Sequence, residues 1–127
     1  MTPYLKKYFN LRLGLIGALV TGGIVWYINK NESLDLAFFA ASKQAVYTFF
    51  FGGFFTRLCE NICLQFENLA LGVLVSTIVV SLLTLSIIFF IHNLKGTPKP
   101  IESTLAMAVI VPPGFALTAY HKRRKKV

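Results

Sequence analysis

The chain has 127 residues, of which 55% are hydrophobic and only 14% charged, with a formal net charge of +8 and a mean hydropathy of +0.64. An ordinary soluble domain carries about a quarter of its residues as charges, so this balance excludes one and implies a membrane protein. Four apolar runs, at 14–28, 34–55, 69–91 and 105–119, hold nearly all of the hydrophobicity. About 20 apolar residues cross the hydrocarbon as a helix, and the runs lack the alternation of a barrel strand. The predicted fold is therefore an all-α bundle of four transmembrane helices. It forms a single integral membrane domain over 1–127, with spans near 13–29, 34–57, 69–92 and 103–120.

The first run follows Lys6, Lys7 and Arg12, as in a secretory signal peptide. It ends in Trp26-Tyr27-Ile28-Asn29, bulky residues where a cleavage site needs small ones. It reads as a retained span with its aromatic residues at the membrane boundary. Gly14, Ala18 and Gly22 recur every four residues, with Gly17, Thr21 and Gly23 beside them. Small residues at that spacing let another helix approach closely, within the chain or between copies. Asn31-Glu32-Ser33 is a glycosylation sequon abutting the membrane on the predicted outer side.

The second run starts with Ser33 as N-cap and Asp35 in the first turn. The only breaker is Gly52-Gly53, so a long helix is expected, running on towards Phe66. One face carries Ala41, Ala45, Thr48, Gly52, Thr56, Cys59 and Cys63, all small. The cysteines read as reduced packing residues rather than metal ligands. Lys43 lies within the run, roughly 13 Å from its outer end at the helical rise. A lysine at mid-bilayer costs at least ~2.5 kcal/mol on insertion scales, so it needs compensation. Three readings stand: it snorkels towards Asp35, donates to carbonyls freed by prolines in span four, or holds an anionic ligand. Gln44, Tyr47 and Thr48, within about a turn, would add donors. Arg57, Glu60 and Asn61 form a polar cluster at the inner end, and Arg57 and Glu60 are spaced to pair.

The third run carries a hydroxyl stripe, Thr77, Ser81 and Thr84, continuing to Ile88 and His92. Such hydroxyls act as glue between helices or line a polar cavity. The segment after it, 93–100, has two prolines and a glycine and reads as an extended turn. The fourth span is expected to be short, starting near Ser103. Pro112-Pro113 near its middle should kink or break it, freeing the carbonyls of Ala108 and Val109. His92 and His121 fall at opposite ends of the bundle, so one chain cannot clamp an iron between them.

Basic residues set the expected direction. With a cytoplasmic amino terminus, nine of the thirteen cations lie inside: Lys6, Lys7, Arg12, Arg57 and Lys122, Arg123, Arg124, Lys125 and Lys126. Lys30, Lys95 and Lys99 lie outside. This follows the positive-inside rule and puts both termini in the cytoplasm, with a bacterial inner (plasma) membrane as the expected location. The tail 121–127 would anchor on anionic lipid headgroups and needs no nucleic acid to explain it. No phosphate-binding loop, metalloprotease motif or nucleophile elbow is present, so neither catalysis, a cofactor nor a metal is expected. The leading expectation is a homo- or hetero-oligomeric protein that binds or transports an amphiphilic or anionic molecule or lipid. Its polar intramembrane site would be built from Lys43, Gln44, Tyr47, Thr48, Ser81, Thr84, Pro112 and Pro113. The alternatives are a non-catalytic accessory or assembly subunit, and a small oligomeric ion or proton channel.

Overall fold

A computed structural model describes residues 2–94 and 96–126. Lys95, one of the cations assigned to the outer side, lies outside the described residues, as does Val127 of the tail. The fold is all-α. Helix α1 spans Pro3–Tyr8, α2 Leu11–Asn29, α3 Leu34–Tyr47, α4 Gly53–Cys63, α5 Leu69–Leu94 and α6 Pro100–Lys126. A π-helical segment, Thr48–Gly52, joins α3 to α4 without interrupting the helical path.

Among the described residues, three helices are long and apolar enough to cross a membrane: α2, α5 and α6. Leu19, Phe38 and Val109 are each more than two-thirds exposed, while Asn29, Gln44, Ser76, His92 and Ser103 are almost wholly buried. Large apolar side chains facing outward over most of the surface, while amides, hydroxyls and a histidine are buried, are stable only if the surroundings are lipid. The chain is an integral, multi-pass membrane protein.

The second apolar run is not one regular helix. The π segment leaves α3 with 14 residues and α4 with 11, neither enough alone to cross the hydrocarbon. The segment ends at Gly52, so the glycine pair marks the irregularity, and α4 ends at Cys63 rather than near Phe66.

Local signals account for the helix ends. Asn10 Oδ1 accepts from Leu13 N, and Ser33 Oγ from Leu36 N, each capping the helix that follows. Pro100 occupies the first position of α6, where its missing N–H costs nothing. Gly96 has φ +84°, and Phe39 occupies the space where a Cβ would stand, so the α5–α6 turn requires glycine there.

Span four differs from expectation. It begins at Pro100 rather than near Ser103, and it is long, at 27 residues. It stays helical through Pro112 and Pro113 instead of breaking. Helix continues into the basic tail, where cations suit the negative end of the dipole.

Packing follows two antiparallel pairs. In the first, Gly14 and Gly22 of α2 press on α3 and the π segment. A Cβ on Gly14 would stand 2.8 Å from Phe49 O, and one on Gly22 would stand 3.1 Å from Ala45 Cβ. The small-residue face of span one is therefore used within the chain. In the second pair, α5 buries Gly72, Ser76, Val80, Thr84, Ile88 and His92, one residue every four. Opposite them α6 buries Ser103, Met107, Phe115 and Ala119. Helix α4 lies along this pair, with Cys59 Sγ 3.7 Å from Phe115 O and Cys63 Sγ 3.8 Å from Ala119 O. Both cysteines are buried, free thiols.

Candidate functional site

A hydrogen-bonded chain of side chains crosses the bundle from the α5–α6 turn to α2. Its members are Thr97, His92, Gln44, Thr48 and Thr21, and it ends on the Gly17 carbonyl. The spacing of four places Gln44 and Thr48 on one face of α3 and the π segment, and Gly17 and Thr21 on one face of α2. His92 reaches the chain because the buried stripe of α5 ends on it.

The terminus sets the direction of every bond. A carbonyl only accepts, so Thr21 Oγ1 donates to Gly17 O at 2.8 Å. Its hydrogen is then used, and the 2.9 Å contact between Thr48 Oγ1 and Thr21 Oγ1 takes its hydrogen from Thr48. Thr48 in turn accepts from Gln44 Nε2 at 2.9 Å. Gln44 Oε1 thus faces His92 Nε2 at 2.9 Å, and that ring nitrogen carries a hydrogen. In the neutral ring Nδ1 then accepts from Thr97 Oγ1 at 3.0 Å. All five bonds run the same way.

Beside this chain lies a cleft of about 240 Å³ between α2 and α6. Leu13, Ile16, Gly17, Val20 and Thr21 form one wall, and Ile110, Val111, Gly114, Phe115 and Thr118 the other. Gln44, Tyr47, Thr48, Gly52, Thr56, Thr84 and Ile88 close it behind. Ile16, Val20 and Gly114 are exposed, so the cleft reaches the lipid-facing surface. A Cβ on Gly114 would meet nothing within 4 Å. Among the described residues, none that lines the cleft is charged.

The site residues expected from sequence divide. Gln44, Tyr47, Thr48 and Thr84 come together in the cleft, and Tyr47 Oη reaches Thr84 O at a long 3.5 Å. Pro112 and Pro113 are not in its lining, although their neighbours Val111 and Gly114 are. Ser81 is buried elsewhere on α5. Thr77 lines a separate shallow groove with Leu74 and Tyr120.

Lys43 also lies outside the cleft, in a shallow groove with Phe39, Phe50 and Ile91. Its Nζ donates to Ile91 O at 3.4 Å and stands 5.3 Å from the centre of the Phe39 ring. Ile91 belongs to the last turn of α5, where carbonyls lack helical partners and the dipole is negative. A helix end thus compensates this cation, a partner that sequence reasoning overlooked.

At the other end, Arg57 Nη1 meets Glu60 Oε2 at 2.7 Å, with Glu60 buried and Asn61 exposed. Arg123 of the tail donates to Glu67 O at 2.9 Å.

Asn29 was also overlooked. Its Nδ2 donates to Val25 O and Ser103 Oγ, and its Oδ1 accepts from Lys99 N at 2.7 Å. It draws α2 and α6 together at one end, and the cleft lies further along the same pair. Glu32 and Lys99 pair nearby at 3.3 Å. Among the described residues no group of three or more His, Cys, Asp or Glu could hold a metal. His92 and His121 lie near opposite ends of the α5–α6 pair. Comparison with known proteins finds no family model, no curated protein and no solved structure that matches this chain.

Proposed function

We propose that the protein binds an amphiphilic, lipid-like molecule in the cleft between α2 and α6. The observation that carries this reading is the cleft itself: about 240 Å³, mostly apolar, with one threonine in each wall and the remaining polar groups at the back, and reaching the lipid-facing surface. A cavity of roughly 150 Å³ holds benzene, so this one accommodates a ring or a length of acyl chain. Apolar walls with a few placed polar groups are the usual composition of a small-molecule site. The anionic form of the ligand draws less support, because Lys43 lies in a different groove and no cation faces the cleft.

We infer four crossings with both termini on the cytoplasmic side. The composite of α3, the π segment and α4 runs from Leu34 to Cys63, roughly 45 Å at the helical rise, long enough to cross a ~30 Å core. The clustering of cations at the two termini supports the orientation.

The channel reading gains nothing from Thr77, Ser81 and Thr84, which face different surroundings rather than one axis. The accessory reading loses one support, since Gly14 and Gly22 are already packed within the chain.

Gly114→Leu tests the proposal. Gly114 lines the cleft, a Cβ there meets nothing within 4 Å, and leucine is a better helix former than glycine, so the variant should add bulk at the cleft without disturbing the fold. Native mass spectrometry of protein extracted in mild detergent should show a retained apolar or amphiphilic molecule in the wild type and its loss in the variant. A wild-type protein that carries a stoichiometric protein partner and no small molecule would favour the accessory reading instead.

A further inference from the structure

On α6, Ala116, Tyr120, Arg123 and Arg124 follow one another at helical spacing and share one side of the helix. Where that side meets the start of α5, two openings adjoin. One, of about 420 Å³, is lined by Glu67, Leu69, Arg123 and Arg124. The other, of about 400 Å³, is a largely apolar groove running along α5 from Leu69 to Thr77, walled on α6 by Ala116 and Tyr120. Leu69 lines both, so the charged opening leads into the apolar one.

Both guanidinium groups are held at this junction. Arg123 Nη2 donates to Glu67 O at 2.9 Å. Arg124 Cζ stands 5.7 Å from the centre of the Tyr120 ring, itself a wall of the groove. A guanidinium has five N–H donors, so one such bond leaves others for an anion. The Glu67 side chain also lines this end, and its carboxylate opposes an anion there. Two cations outweigh it.

Adjoining compartments of opposite character fit one molecule with an anionic head and an apolar tail. From Leu69 to Thr77 is roughly 12 Å at the helical rise, room for part of an acyl chain. Guanidinium forks match the oxygens of a phosphate. A head that carries its own cation, such as choline, would bring like charge towards the arginines.

We propose that the α5–α6 groove is a discrete seat for one anionic phospholipid, its phosphate held by Arg123 and Arg124 and one acyl chain laid along α5 between Leu69 and Thr77. The seat lies on a different side of α6 from the α2–α6 cleft, and neither site depends on the other. It also differs from the diffuse attraction of a basic tail to an anionic leaflet, in which every cation counts alike.

The test uses the full chain in mild detergent, titrated with phosphatidylglycerol or phosphatidylcholine of identical chains and followed by native mass spectrometry. The first phosphatidylglycerol should bind about tenfold more tightly than phosphatidylcholine. Glycerol phosphate, the head without the tail, should not displace it at equal concentration. Arg123→Gln combined with Arg124→Gln should bring phosphatidylglycerol to the level of phosphatidylcholine. The charge-matched pair, Lys122→Gln with Lys125→Gln, should weaken it by less than about threefold. Glu67→Gln, which removes the opposing carboxylate, should tighten it roughly two- to threefold, a gain that misfolding cannot mimic. Equal losses in the two double variants would overturn the inference in favour of diffuse attraction by the tail. Equal affinity for the two lipids would overturn it outright, and displacement by glycerol phosphate would leave a phosphate site that does not recognise lipid.

Discussion

Asn29 Nδ2 stands 2.9 Å from Ser103 Oγ, joining residues 74 positions apart. Through that bond, and through Lys99 N, the carboxyl end of α2 is fastened to the start of α6. Asn29→Ala removes these bonds and leaves the Lys99 N–H without its side-chain acceptor. Single interhelical bonds in membranes average ~0.6 kcal/mol, but an orphaned buried group costs ~1–3. The expected loss is about 2 kcal/mol of stability, read as an earlier midpoint in SDS titration of the detergent-solubilised protein. A shift below about 0.5 kcal/mol would mean the α2–α6 contact does not depend on this residue.

The glycines of α2 differ in what surrounds them, and substitutions should separate them. Gly14→Val places a branched side chain where Phe49 O would already be only 2.8 Å from the Cβ, and backbone cannot move aside cheaply. A loss of more than about 2 kcal/mol is expected. Gly23→Ala meets nothing within 4 Å and should be neutral or slightly stabilising, because alanine is the better helix former. Thermal melts of both variants in one detergent give the comparison. Equal behaviour would contradict the close approach of α2 to the π segment.

His92 should occupy one tautomer. The bond directions imposed by Gly17 O leave the hydrogen on Nε2 and an acceptor at Nδ1. Nitrogen-15 spectra of histidine-labelled protein in bicelles should show a protonated Nε2 and a bare Nδ1 for the neutral ring. Gln44→Leu removes the acceptor and orphans the Nε2 hydrogen, at a cost of about 1–3 kcal/mol. The opposite tautomer in the wild type would contradict the run of bonds from Thr97 to Gly17 O.

The elements differ in how legible they are before folding. The hydrophobic runs and the turn residues between them place α2, α5 and α6, because length and apolarity control whether a segment enters lipid. Ser33 marks the start of α3 because its cap is local, as is the Arg57–Glu60 pair one turn apart. The π segment escapes such reading, as does the unbroken course of α6 through two prolines. In both cases neighbouring helices stabilise a backbone path that local preference disfavours.

Composition and run length by themselves determined that this chain enters a membrane as helices, since those properties belong to each segment alone and transfer to lipid is nearly additive over residues. They also exposed the hydroxyls and amides that had to be satisfied inside. Only the packed structure decided which of them meet. It gave Lys43 the end of α5 and bound Gln44 to His92. Those outcomes turn on ångström-scale approach between helices far apart in the chain. Hydrogen bonding is short-ranged and directional, so residue order alone does not encode it.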